Sequence, residues 1–220
     1  MPHYDKFFDS ELDALRERVQ ALGELVIKQV SSAITALLER DISLARATIA
    51  NDHLVNRIEV GLEEDCIEIL ALRQPVGADL RFVTTAIKIV DNLERMGDLA
   101  ANICERVVEM EEMPHRDRYV YIRKAGALCK TMIRDSLTAF TERDIALAER
   151  VCVQDKEMNT LTEINLHLLL TSMTENPSNI SRLTRKMFIA KYLEQIASRA
   201  RTVAERVIYM VSGQKVGKTG

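Results

Sequence analysis

Residues 89–110 read IVDNLERMGDLAANICERVVEM, and residues 189–210 read IAKYLEQIASRARTVAERVIYM. Within them Ile89, Leu93, Met96, Ala100, Ile103, Val107 and Met110 recur one hundred positions later as Ile189, Leu193, Ile196, Ala200, Val203, Val207 and Met210. Steps of three and four are the helical period, so each stretch is a long amphipathic helix with one apolar seam. The likeness extends upstream. Glu39-Arg40-Asp41-Ile42-Ser43-Leu44-Ala45 returns as Glu142-Arg143-Asp144-Ile145-Ala146-Leu147-Ala148, and Asp52 and Asn56 return as Asp155 and Asn159. The break at Gln74-Pro75 is matched by Asn176-Pro177. Self-similarity of this extent marks a tandem duplication.

Each half supplies three helices. The first seam, Leu12, Leu15, Val19, Leu22, Val26, Val30, Ala33 and Leu37, stops at Glu39-Arg40-Asp41, where Asp41 can cap the next helix. A second seam, Val55, Ile58, Leu62, Cys66 and Ile69, stops before Pro75 and Gly77. The third helix is expected to start near Asp79 as its N-cap and to run to about Met113, before Pro114. Gly213 stands where a C-terminal cap belongs. The pattern predicts an all-α fold, a tandem duplication of a three-helix bundle with six long antiparallel helices. The first repeat is expected over 1–113, the second over 114–213, and a flexible, basic tail over 214–220. Two bundles side by side and one elongated six-helix bundle both satisfy it.

Composition narrows the class. Apolar residues make up 47% of the 220 and charged residues 29%, ordinary for a soluble globular chain. The eight Gly and four Pro lie mostly at segment boundaries, which favours long helices. A net charge of −3 gives no nucleic-acid signature. No run of about 18 apolar residues is present, so no direct membrane insertion is expected, and the start lacks a secretion signal. Cys66, Cys104, Cys129 and Cys152 lie far apart, as reduced core thiols of a cytoplasmic protein would.

The polar faces carry the chemistry. Asp91, Glu94, Asp98, Asn102 and Glu105 form an acidic ridge, which the helical wheel turns away from the core seam. The second helix has a similar ridge in Asp52, Asn56, Glu59 and Glu63. Like charges one turn apart repel by a few tenths of a kcal/mol each, a cost that a bound cation removes. Carboxylates with an amide are hard ligands, suited to Fe, Mn, Mg, Ca or, less well, Zn. The competing reading is a pair of solvated helix faces.

Leu93-Glu94-Arg95-Met96-Gly97-Asp98-Leu99-Ala100-Ala101-Asn102-Ile103 resembles the signature of the PhoU family, the phosphate-specific transport accessory proteins. Arg73-Gln74-Pro75-Val76-Gly77-Ala78-Asp79-Leu80-Arg81 is similar to that family's second distinctive segment, and Phe8-Asp9-Ser10-Glu11-Leu12-Asp13-Ala14-Leu15-Arg16 also fits. The resemblance spans nearly the whole chain. It implies paired three-helix bundles carrying a multinuclear metal cluster, iron or zinc, on Glu/Asp-x-x-x-Asp motifs. It also implies an adaptor rather than an enzyme, one that represses the phosphate-starvation response by linking the high-affinity phosphate ABC transporter, through its ATPase, to a sensor histidine kinase. Carried over, Glu94-x-x-x-Asp98 matches the metal motif, Glu59-x-x-x-Glu63 matches it with Glu for the final Asp, and Asp91, Asp52, Asn56 and Asn102 become auxiliary ligands. Exposed helical faces also suggest a homodimer.

The second half departs from this pattern. Ser198 replaces Asp98, Lys191 stands opposite Asp91, and Thr162 and Leu166 align with Glu59 and Glu63, leaving Glu194 and Glu205 of the ridge. Residues 81–111 hold four Lys/Arg against six Asp/Glu, while residues 180–210 hold seven against two. A metal cluster is therefore expected on the first repeat and none on the second, with Arg199, Arg201 and Lys191 on a face offered to an acidic partner surface or a phosphate-bearing ligand. His53 lies beside one ridge, and Glu112 and His115 flank Pro114 in a break. A metal-dependent phosphate-ester enzyme and a metal-free helical scaffold are the alternatives; the sequence offers no phosphate-binding loop and no nucleophile elbow.

Overall fold

A computed structural model describes residues 6–112 and 119–214. The break expected at Met113-Pro114 with His115, and the tail beyond Gln214, lie outside the described residues. The described chain is all helix: α1 (Lys6–Glu39), α2 (Ile42–Ala50), α3 (Asp52–Arg73), α4 (Gly77–Glu109), α5 (Val120–Glu142), α6 (Ile145–Glu175) and α7 (Ile180–Ser212), with a 3₁₀ turn at Pro177–Asn179. These form six rods in two matching halves. The second rod of the first half is broken at Asn51 into α2 and α3, whereas its counterpart α6 runs unbroken.

The matching joints repeat the same local physics. Arg40 and Arg143 both adopt left-handed backbone (φ 58° and 57°), closing α1 and α5. Asp41 and Asp144 then cap the following helices by accepting from the Leu44 and Leu147 amides at 2.8 and 3.0 Å. Elsewhere the expected boundaries shift. α4 starts at Gly77, after an extended Val76, so Asp79 lies in the first turn instead of capping it, and the helix closes at Glu109. Gly213 does end α7, with φ 71°.

The core is one continuous apolar cluster drawing on every helix. The most extensive interface joins α4 of the first half to α7 of the second. Alongside it α1 crosses α5 in a reciprocal joint. A Cβ on Gly23 would stand 2.2 Å from Leu137 Cδ1, and a Cβ on Gly126 would stand 2.4 Å from Ile34 Cδ1. Gly23 and Gly126 are equivalent positions of the two repeats, as are Ile34 and Leu137, each pair 103 residues apart. Each half thus presents a missing side chain to the other half's apolar branch. Phe82 of α4 stacks on Phe140 of α5 at 5.3 Å, another contact across the duplication.

By length and hydropathy alone Phe7–Glu39 could cross a membrane, its most apolar window averaging 1.4. Here that helix lines the bundle, with Val19, Leu22, Val26, Val30 and Ala33 fully buried. Three thiols, Cys66, Cys104 and Cys129, are buried as expected, and Cys152 is half-buried.

The joint is testable. Gly23→Ala should destabilise the protein by about 1 kcal/mol, overpacking outweighing the gain in helix propensity. In a Leu137→Ala background the same change should be neutral or stabilising, giving a coupled double-mutant cycle in urea unfolding. Additive effects would show that the two residues do not meet.

Candidate metal centre

The break at Asn51 makes Asp52 the first residue of α3, and α3 then packs lengthwise beside α4. The ridge of α4 lies off the buried Leu93, Met96 and Ala100 seam, with Asp91, Glu94, Asp98 and Asn102 half-buried and Glu105 exposed. Glu59, Glu63 and Asp52 are half-buried on the facing side, while Asn56 remains exposed. The wheel gives an angle to a helix's own seam but not the position of its neighbour.

The carboxylates sense one another along this seam. Burial raises the Glu94 pKa above the ordinary range, and the negative charges of Asp98, Glu59 and Asp91 raise it further against the counter-effect of Arg95. Glu59 is raised by burial, then by Glu63 and Asp91, with Arg95 again opposing. Asp52 is raised by burial and by Asp98. Asp52, Glu59, Glu63, Asp91, Glu94 and Asp98 are thus brought into one electrostatic unit, whose nearby counter-charge is Arg95, 3.3 Å from Asp91. Asn102 sits one turn past Asp98. His53 is exposed, with its Nδ1 on the Ala50 carbonyl at 2.7 Å. Among the described residues no three His, Cys, Asp or Glu side chains already converge as an ion cage.

One participant is absent from the sequence expectations. Gln29 of α1 is only 6% exposed, and its amide donates to Asp52 Oδ1 at 3.3 Å. Its Oε1 is buried without a hydrogen-bond partner. A Cβ on Gly97 would stand 2.8 Å from that oxygen and 3.6 Å from Asp52 Oδ1, so the glycine keeps space open beside the acids. The signal was a polar residue among the apolar positions of α1, whose equivalent in the second repeat is Met132. Repelling carboxylates, an unpaired buried oxygen and a kept space fit a hard cation.

The second half fills the equivalent place from within. Asp155, the counterpart of Asp52, is buried, and Arg201 of α7 reaches it at 3.5 Å while also approaching Glu205 at 3.7 Å. Lys191 is held by Glu194 at 2.6 Å, and Arg199 donates to Asn92 Oδ1 at 3.4 Å. Thr162, in place of Glu59, is buried against the Tyr121 hydroxyl at 3.0 Å. The basic residues of α7 therefore already answer acceptors of this chain, and Asp155 joins Glu194 and Glu205 as a surviving acid that the sequence reading of the ridge left out.

Comparison with known proteins places this arrangement. A family model described as the PhoU domain matches twice, over residues 19–107 and 122–207, once in each half. The chain belongs to the PhoU family. A PhoU homolog named as a phosphate-specific transport system accessory protein in Pseudomonas putida is 38% identical over 99% of this chain and 86% of its own length. The protein so named in Escherichia coli K12 is 34% identical over 99% of this chain and 90% of its own length. The crystal structure of PhoU from Pseudomonas aeruginosa superposes with a TM-score of 0.91 at 37% identity, covering 94% of this chain and all of that one. That of the phosphate transport system regulatory protein PhoU from Streptococcus pneumoniae gives 0.90 at 29% identity, covering 96% of this chain and 99% of that one. These PhoU relatives are accessory and regulatory proteins by name.

The internal cation of the second half can be removed. Arg201→Ala leaves the buried Asp155 carboxylate unpaired and should cost about 1–3 kcal/mol at pH 7.5. Burial already raises the Asp155 pKa, with Arg201 as the principal opposing influence. Without Arg201 the folded pKa lies further above the unfolded one, so the folded variant binds the proton more readily and the penalty falls as pH drops. Urea midpoints at pH 7.5 and 5.0 should show the smaller loss at pH 5.0; an equal loss would mean that Asp155 is not the partner.

Proposed function

We propose that this chain is a cytoplasmic regulator of phosphate uptake whose first half binds metal ions along the α3–α4 seam and docks to the phosphate transporter. The observation that carries the metal reading is a set of six carboxylates held on two packed helices, among which Glu94, Glu59 and Asp52 have pKa values raised by burial and by their acidic neighbours. Glu94 and Asp98 on one side and Glu59 and Glu63 on the other would hold the ions, with Asp91 and Asp52 beside them and Asn56 and Asn102 at the ends. A multinuclear cluster of iron or zinc is the expected occupant, Mn, Mg or Ca being other hard cations the oxygens would accept. A bound cation supplies the positive charge that the seam lacks, and the protein's part is to hold the two acidic flanks in register.

Family membership supports the regulatory role. The adaptor would bridge the ATPase of the high-affinity phosphate transporter and a sensor histidine kinase, keeping the starvation response off when phosphate is ample, and would act as a homodimer. On α7, Lys191 and Arg199, beyond their contacts with Glu194 and Asn92, would be the basic residues that meet an acidic partner surface; Arg201 serves Asp155.

The test is a Glu59→Gln/Glu94→Gln variant of the full chain, purified without chelator from phosphate-replete cells. Wild-type protein should carry Fe or Zn by elemental analysis and recover the transporter ATPase in a pull-down. The variant should lose most of the metal and the ATPase while its metal-free melting temperature rises, because repulsion has been removed. Unchanged metal content would overturn the metal reading, and ATPase capture by metal-free wild type would separate docking from it.

A further inference from the structure

Beneath the acidic seam lies a smaller constellation from three helices. Gln29 comes from α1, Asp52 from the first turn of α3 and Asp98 from α4. Asp98 follows Gly97 in α4, and its negative charge acts on the Asp52 carboxyl group across the seam. Like charges brought together on packed helices repel, and a cation between them relieves the repulsion. The third member supplies an independent observation. Gln29 is more than nine-tenths buried, its Oε1 has no partner, and that oxygen and Asp52 Oδ1 flank the space left by the absent Gly97 side chain.

An amide oxygen left unpaired at that depth loses its water without replacement, a cost that an apolar residue of the same length avoids. The second repeat makes that exchange: Met132 stands for Gln29, Ala197 for Gly97 and Ser198 for Asp98, while Arg201 reaches the remaining Asp155. All the changes go together. Where the cation is built in, the buried oxygen, the second carboxylate and the space are gone; where they persist, no basic side chain pairs with Asp52 among the described ion pairs.

We infer that the Gln29 side-chain oxygen, with Asp52 and Asp98, binds one divalent cation at an inner position of the seam, Asp98 being shared with the ions held farther out by Glu59, Glu63, Asp91 and Glu94. The inference rests on the cation-binding reading above and adds an amide ligand from α1, a helix on which no acidic motif pointed. Its role is also selective: an amide oxygen adds a hard donor without a third negative charge, so the inner site holds together better when empty than a three-carboxylate site would.

The test uses the full chain, stripped with chelator and titrated with Mn2+ alone, followed by electron paramagnetic resonance and by the Mn2+-induced rise in melting temperature. Gln29→Met should weaken the tightest Mn2+ site about 10–100-fold, the range for loss of a supporting ligand, and shrink the Mn2+-induced rise. Glu59→Gln should leave that site in place and weaken the others. Gln29→Glu guards against a purely structural role: it should lower the metal-free melting temperature yet tighten Mn2+ binding. A Gln29→Met isotherm that superimposes on wild type, or a Gln29→Glu variant with lower stability and no gain in affinity, overturns the inner site alone. Wild-type protein that binds no Mn2+ overturns the underlying cation reading as well.

Discussion

Carboxylates placed on the flanks of two packed helices are partly removed from water, and at that depth their mutual repulsion is no longer screened away. The first half of this protein concentrates six of them between α3 and α4, with Arg95 as the nearby counter-charge. The neighbouring structure is arranged around that constraint. Asn51 interrupts the second rod just before Asp52, whose carboxyl group feels the charge of Asp98; Gly97 withholds a side chain beside Asp52, and Gln29 brings a neutral oxygen rather than another charge. The half-buried seam is tolerable because the rest of the bundle is well founded, with one apolar cluster running through both repeats.

Duplication lets the same fold show two answers to one electrostatic problem. The second half keeps the helices, the caps at Asp144 and Arg143 and the reciprocal glycine at Gly126. Its acids are reduced in number, and those retained are matched by Arg201 and Lys191 of the same helix bundle. An intramolecular guanidinium is permanent, whereas a cation from solution comes and goes with its concentration. On the proposed reading, the first half is the one whose stability would be linked to a ligand.

Much of this was legible in the sequence because its signals are periodic. The seams of α4 and α7 and the acidic ridges of the first half repeat at helical spacing, and the match between halves doubles the seams and the capping aspartates. What was not legible depends on neighbours. The break at Asn51 carries no Gly or Pro, and the flank on which α3 sits against α4 cannot be read from either helix alone. Gln29 looks like an ordinary polar interruption in an apolar run until Met132 is set beside it. The Arg201–Asp155 pair requires the register of α6 on α7, so Arg201 read as a free basic residue.

The central claim is that the acidic seam is completed by cations in the first repeat and by arginine in the second. Crystals of the full chain grown with Zn2+, measured above and below the zinc absorption edge, address it directly. The account predicts anomalous peaks within bonding distance of Glu59, Glu94 and Asp98 and none beside Asp155. An empty α3–α4 seam, or a peak of equal height beside Asp155, would contradict it.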